Sequence, residues 1–180
     1  ITYRLEANKV VTEYHVENPS KQQIFFSIGG HPAFMCPLKP DCKFDDYYFE
    51  FEQPETLDRM MLTEKGFFVH ETVPFMKNEQ QIQISHELFK DDAIVVQPQK
   101  SKAISVKSKK HQEYMTFYFN DFPYLGLWSP AEPAPFVCIE PWFGHADYAD
   151  FTGDISQKAG IVALNAGKSF CTSYAVAIFE

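Results

Sequence analysis

The feature that most constrains the fold is a series of short runs, rich in aromatic and β-branched residues, that recurs along the whole chain. Some of these runs alternate apolar with polar side chains, as Ala103–Ser108 does, and this period is typical of a half-buried strand. Turn-forming residues separate the runs, and helical periodicity is confined to about one turn at 85–89. Strands are predicted at 10–16, 24–28, 47–52, 103–108, 114–119, 125–128, 136–139 and 174–179.

Many short strands joined by turns predict an all-β protein built as an antiparallel sandwich or barrel. The chain has 180 residues and contains no evident linker, repeat or low-complexity tract, so we expect residues 1–180 to form one domain. Residues 1–5 already read as a strand under way, with no initiator methionine and no signal-peptide pattern before them.

Charge and cysteine content exclude several classes of protein. The formal net charge of −8 argues against a nucleic-acid surface, and no apolar run is long enough to predict a membrane-spanning helix. The four cysteines, Cys36, Cys42, Cys138 and Cys171, include no Cys-x-x-Cys pair. We therefore predict free thiols and a cytoplasmic location, with Cys138 and Cys171 buried inside apolar strands.

One candidate site residue is His31, which stands in the segment Ser27-Ile28-Gly29-Gly30-His31-Pro32-Ala33-Phe34. Two glycines widen the conformations open to the backbone, and the proline restricts the residue before it. This context predicts an imidazole presented at a tightly turned strand end. The alternative is a simple bulge with a structural histidine.

A second candidate is Glu140, which ends the apolar run 136–139 and precedes Pro141-Trp142-Phe143. A carboxylate in apolar surroundings has a raised pKa, which suits it to proton transfer near neutral pH. The alternative is a strand-end glutamate that points into solvent. Trp128 and Trp142 flank this segment, and their rings suit either the apolar face of a sugar or the core.

Other combinations carry less information. His145 and Asp147 are two metal-ligand types without a third, which is weak evidence for a metal site. Asp91 and Asp92 precede the apolar run 93–96, where a pair of acids is either functional or part of a turn. No phosphate-binding glycine-rich loop and no nucleophile elbow is present.

Three segments taken together resemble the aldose 1-epimerase (galactose mutarotase) superfamily, and in particular its bacterial LacX-like branch. They are SIGGHPAF at 27–34, YLGLWS at 124–129 and CIEPW at 138–142. The resemblance implies a large antiparallel β-sandwich with an open sugar-binding cleft. It also implies that the chain corresponds to the last two-thirds of the family domain, without its N-terminal strands.

The resemblance further implies an isomerase that interconverts the α and β anomers of an aldose without a metal or an organic cofactor. Glu140 matches the family's catalytic base and His31 its acid, and Asp92, or Asp91 in the alternative register, matches an aspartate that binds sugar hydroxyls. Trp128 and Trp142 are expected to line the cleft. An arginine and a second histidine of the family would precede Ile1, and neither Arg4 nor Arg59 is assigned to the site.

Two alternative functions remain open at this point, a hexose-6-phosphate mutarotase and a non-catalytic carbohydrate-binding domain. The expected partner is a small-molecule sugar rather than a nucleic acid or a membrane. The protein is expected to be a monomer or a homodimer.

Overall fold

The computed structural model describes residues 1–130, 132 and 134–179, which form fourteen β-strands and three one-turn 3₁₀ helices. The 3₁₀ helices are Phe44–Asp46, Glu87–Phe89 and Ile155–Gln157. None of the helices in these described residues is long and apolar enough to cross a membrane. The strands are β1 (Thr2–Glu6), β2 (Lys9–Glu17), β3 (Ile24–Phe26), β4 (Ile28–Gly29), β5 (Ala33–Met35), β6 (Tyr47–Leu62), β7 (Phe68–Gln83), β8 (Ile94–Val96), β9 (Ala103–Ser108), β10 (Tyr114–Tyr118), β11 (Tyr124–Trp128), β12 (Phe136–Phe143), β13 (Val162–Leu164) and β14 (Ser169–Phe179).

Twelve of these strands form one antiparallel sheet in the order β1-β2-β14-β10-β9-β6-β8-β11-β12-β4, with β5 also on β12 and β7 on β6. Strands far apart in this order touch: the rings of Phe34 in β5 and Phe117 in β10 lie 6.0 Å apart. The hydroxyl of Tyr14 in β2 donates to the carbonyl of Gly29 in β4 over 3.1 Å. The sheet therefore curls over on itself around one main core, which confirms the predicted antiparallel sandwich.

Alternation along the strands decides which side chains enter this core. In β6, Tyr47, Phe49 and Phe51 are buried, whereas Tyr48 and Glu50 on the opposite face are partly exposed. Successive side chains of a strand point to opposite faces, so a period of two in the sequence becomes one apolar and one polar face. The same rule explains why β9 begins and ends where the sequence predicts.

The prediction of one short strand at 47–52 falls well short of the long hairpin of β6 and β7. Each of these strands has 16 residues, and most of the side chains of β7 are exposed. The pairing is broken by register shifts, one of them between Glu50 and Glu55 beside Pro54. An exposed and bulged edge strand needs little apolar alternation, which is why its sequence carries a weak strand signal.

One buried carboxylate anchors this hairpin to the neighbouring loop. The side chain of Glu55 is fully buried and accepts backbone N–H bonds from Gln99, Lys100 and Ser101, at 3.3, 3.0 and 2.6 Å. Hydrogen bonds that satisfy the carboxylate are what make its burial tolerable. Glu55 thus holds the loop after β8 against the bulge in β6.

All four cysteines are free, as predicted, but the prediction that Cys171 is buried is wrong. Cys171 pairs across the sheet with His15, and cross-strand partners share a face. That face points to solvent, because both residues are exposed. Cys138, in contrast, is buried as expected.

Candidate active site

Successive side chains of β12 point alternately into the core and into a surface cavity, and those in the cavity form the centre of the candidate site. Val137 and Ile139 pack into the main core, whereas Glu140 and Trp142 line the cavity. On the neighbouring strand β11, Gly126 pairs with Glu140 and leaves room for the Trp142 ring. A carboxylate and an indole therefore stand side by side on the same strand face.

The register of the sheet places His31 opposite Glu140. Gly29 at the end of β4 pairs with Trp142, and Ala33 at the start of β5 pairs with Cys138. Both pairings follow the same antiparallel register, so His31, midway between them, faces Glu140. The His31 Nε2 atom lies 3.4 Å from Glu140 Oε1.

The two glycines before His31 serve close packing rather than an unusual backbone conformation. Neither Gly29 nor Gly30 has a positive φ. A Cβ on Gly29 would lie 2.6 Å from the Trp142 ring and 2.7 Å from the carbonyl oxygen of Pro141. Only glycine can approach β12 this closely. Glycine is therefore required here because a side chain has no room, and not, as the sequence predicted, because the backbone conformation is unusual.

The two members of the pair differ sharply in exposure. The side chain of Glu140 is 5 % exposed, whereas that of His31 is 61 % exposed. Burial raises the pKa of Glu140 to about 7, with His31 lowering it and the charge of Asp92 adding to the rise. A carboxyl group with this pKa exchanges a proton readily at neutral pH.

One cavity of about 330 Å³ is lined by all five residues that the resemblance assigns to the site: His31, Asp92, Trp128, Glu140 and Trp142. The His31 and Trp128 rings meet edge to face with centroids 5.8 Å apart. The residues that line the cavity are His31, Leu62, Gly66, Phe68, Asp92, Ala93, Val95, Trp128, Glu140, Trp142 and Ala146. The cavity thus combines two acids, an imidazole and two indoles. Asp91, the alternative to Asp92, is not among its lining residues.

Asp92 is held in a turn that the sequence did not connect with any other residue. Its backbone has φ +73°, and its Oδ1 accepts the N–H of Ala93 over 2.7 Å. The Nη2 atom of Arg59, from β6, donates to the carbonyl oxygens of Asp91, Asp92 and Ala93 at 3.0, 3.2 and 3.2 Å. Arg59 therefore positions Asp92 without lining the cavity, and no sequence motif links the two.

The side chains of His145 and Asp147 are engaged with different partners. His145 is buried among aromatic rings, and its Nδ1 bonds the carbonyl of Ala146 over 2.6 Å. Burial lowers the pKa of His145, which favours the neutral ring. Asp147 is engaged instead in an ion pair with Lys158.

A substitution at Gly126 tests the packing that forms the cavity. A Cβ at this position would lie 3.0 Å from the Trp142 ring and 3.3 Å from the Cβ of Glu140. Gly126→Ala is therefore expected to displace the indole and change its fluorescence. Because the chain has only two tryptophans, the change can be measured on Trp142 alone in a Trp128→Phe background. An unchanged Trp142 spectrum would contradict this packing.

Comparison with known proteins identifies a matching family and several similar proteins. A sequence profile described as aldose 1-epimerase matches residues 1–160. The chromosomal LacX protein of Lactococcus lactis subsp. lactis is 33 % identical over 186 aligned residues, which cover all of this chain and 61 % of LacX. The plasmid-borne LacX protein of the same organism matches equally well.

Two solved structures are similar in both fold and sequence. A galactose mutarotase related enzyme from Lactobacillus acidophilus superposes with a TM-score of 0.91 at 29 % identity, over 99 % of this chain and 60 % of that one. A galactose mutarotase-like protein from Lactobacillus casei gives 0.88 at 28 %, over 98 % and 61 %. This chain thus spans about three-fifths of the length of these relatives. The matched profile and the LacX similarity place the chain in the aldose 1-epimerase family, in its LacX-like branch.

Proposed function

We propose that this protein acts as an aldose 1-epimerase, which interconverts the α and β anomers of a hexose by opening and reclosing the ring. The observation that carries the proposal is the pair of His31 and Glu140, 3.4 Å apart at the edge of a cavity large enough for a sugar. Anomerisation needs an acid and a base beside each other, since the ring oxygen and the anomeric hydroxyl are bonded to the same carbon.

In the proposed mechanism, Glu140 removes the proton of the C1 hydroxyl while protonated His31 donates one to the ring oxygen. The bond between C1 and the ring oxygen breaks, and its electron pair stays on that oxygen as a hydroxyl. Rotation about the C1–C2 bond then presents the other face of the aldehyde. Ring closure reverses both proton transfers, so that each residue returns to its starting state.

The remaining cavity residues are proposed to bind the sugar. Asp92 offers carboxylate oxygens to sugar hydroxyls, and the indoles of Trp128 and Trp142 offer apolar surface to the C–H face of the ring. Among the described residues that line the cavity are two carboxylates and neither lysine nor arginine. This charge favours a neutral sugar over a hexose 6-phosphate, which needs a cationic pocket.

Polarimetry tests the proposal directly. Freshly dissolved α-D-glucose or α-D-galactose is followed with and without the 180-residue chain, and the spontaneous rate in the same buffer is subtracted. We expect the protein to accelerate the approach to the equilibrium rotation. If the sugar binds without any acceleration, the chain is a carbohydrate-binding domain and the catalytic proposal is wrong.

The pH dependence of the reaction follows from the state of Glu140. Its pKa is raised to about 7, and only the deprotonated form accepts the C1 proton. The catalysed rate constant at low sugar concentration should therefore fall as pH drops through about 7, by tenfold for each pH unit below it. The measurement is a pH series by polarimetry with a chelator present. A loss centred near pH 4.3, the ordinary value for glutamate, would contradict this assignment.

A further inference from the structure

Cys138 lies beside the proposed catalytic pair but takes no part in the proton transfers described above. It stands two residues before Glu140 on β12, and both side chains are buried. Ligand atoms of His31, Cys138 and Glu140 all lie within 4.8 Å of one another. The described residues thus bring together an imidazole nitrogen, a sulfur and a carboxylate oxygen at one point of the sheet.

These are three ligand types that Zn²⁺ prefers, and zinc sites with an open position commonly have three protein ligands and a water. Tetrahedral geometry with ordinary Zn–N and Zn–O bonds puts the nitrogen and oxygen about 3.4 Å apart. The Nε2 of His31 and the Oε1 of Glu140 are separated by 3.4 Å. An ordinary Zn–S bond requires the sulfur about 3.6 Å from either atom, and the Cys138 sulfur lies within 4.8 Å of both.

We propose that His31, Cys138 and Glu140 form a binding site for Zn²⁺, with the fourth position open to water from the cavity. Burial raises the pKa of the Cys138 thiol to about 12, so the thiol carries its proton until the metal displaces it into the buffer. Two of the three ligands are the proposed acid and base. Bound Zn²⁺ occupies their lone pairs and therefore inhibits mutarotation. This inhibition rests on the proposed function, whereas the metal binding does not.

Metal binding is tested with Co²⁺, a spectroscopic substitute for Zn²⁺, in a Cys171→Ser background that removes the exposed thiol. We expect one equivalent to produce a thiolate-to-cobalt charge-transfer band and tetrahedral visible bands, and Zn²⁺ to abolish both. The charge-transfer band should be absent from the Cys138→Ala variant and unchanged in Cys36→Ala, which removes a different buried thiol. A band that persists without Cys138, or no band at all, would overturn the proposal.

A second variant protects this test against misfolding of Cys138→Ala. Glu140→Gln keeps the volume of the side chain and the thiol but removes a metal ligand, so it should weaken Co²⁺ binding by at least about tenfold. Unweakened binding in a folded Glu140→Gln variant would likewise contradict the site.

Inhibition is measured separately by polarimetry. Zn²⁺ should suppress the catalysed rate reversibly, with EDTA restoring it, and the Cys138→Ala variant should require at least about tenfold more Zn²⁺. If the chain shows no mutarotase activity, the cobalt spectrum still decides the metal site, so failures of the two proposals are distinguishable. Inhibition unaffected by Cys138→Ala would contradict the role of the thiol.

Discussion

Under the proposed mechanism, Glu140→Gln is expected to reduce the mutarotation rate about 100- to 10,000-fold, the contribution typical of one general acid–base group. The amide keeps the size of the side chain but cannot accept the C1 proton. Because the side chain of Glu140 is only 5 % exposed, water cannot easily take over its role beside His31. Polarimetry at saturating and at low sugar concentration measures the loss and assigns it to catalysis or to binding.

The matched control is Glu79→Gln, the same chemical change at an exposed position of β7. This variant should retain the parent rate. Circular dichroism and thermal unfolding of both variants establish that the fold is intact. A Glu140→Gln variant that is folded and keeps more than about a tenth of the activity would show that Glu140 is not the base.

Glu55→Ala is expected to lower the free energy of unfolding by about 3 kcal/mol, because three backbone N–H groups, that of the buried Ser101 among them, lose their acceptor. For a chain of this length such a loss lowers the midpoint of thermal unfolding by about 6–12 °C. The change lies in the hairpin and its neighbouring loop, so it tests the architecture rather than the chemistry. Calorimetry or chemical denaturation measures it.

Glu52→Ala provides the control on the same strand. Its carboxylate also accepts a backbone N–H, from Lys102 over 3.1 Å, but the side chain is exposed and water can take its place. The expected loss is therefore within about 0.5 kcal/mol. Equal losses of unfolding free energy in the two variants would show that burial does not increase the contribution of Glu55 to stability.

The strands were predictable where alternation is strong. Burial on one face imposes a period of two, and the predicted bounds of β9 match the structure. β7 was missed because its side chains are mostly exposed and bulges interrupt its pairing with β6. Such a strand is held by backbone hydrogen bonds to its neighbour, so the pattern of its side chains gives little indication that it is a strand.

The five candidate residues in the cavity could be singled out one by one from the sequence, but the contacts that support them could not. His31 and Glu140 stand out because glycine, proline and tryptophan surround them in the sequence. Arg59 carries no such signal, and its bonds to the Asp92 turn join segments more than thirty residues apart. From the sequence, Cys138 was predicted only to be a small buried apolar residue. Its position beside the imidazole of His31 and the carboxylate of Glu140 is evident only from the tertiary structure.

By itself the sequence determined that the chain is all-β, either an antiparallel sandwich or a barrel. Through three motifs it also determined to which family the chain is similar, and that resemblance implied the sandwich. Alternation is a local property, so it can be read without knowing which strands are partners. Only the tertiary structure decided that His31 faces Glu140, since a shift of one residue in the pairing of β4 and β5 with β12 would turn these side chains away from each other. The raised pKa of Glu140 has the same origin, because desolvation depends on everything that packs around the carboxylate.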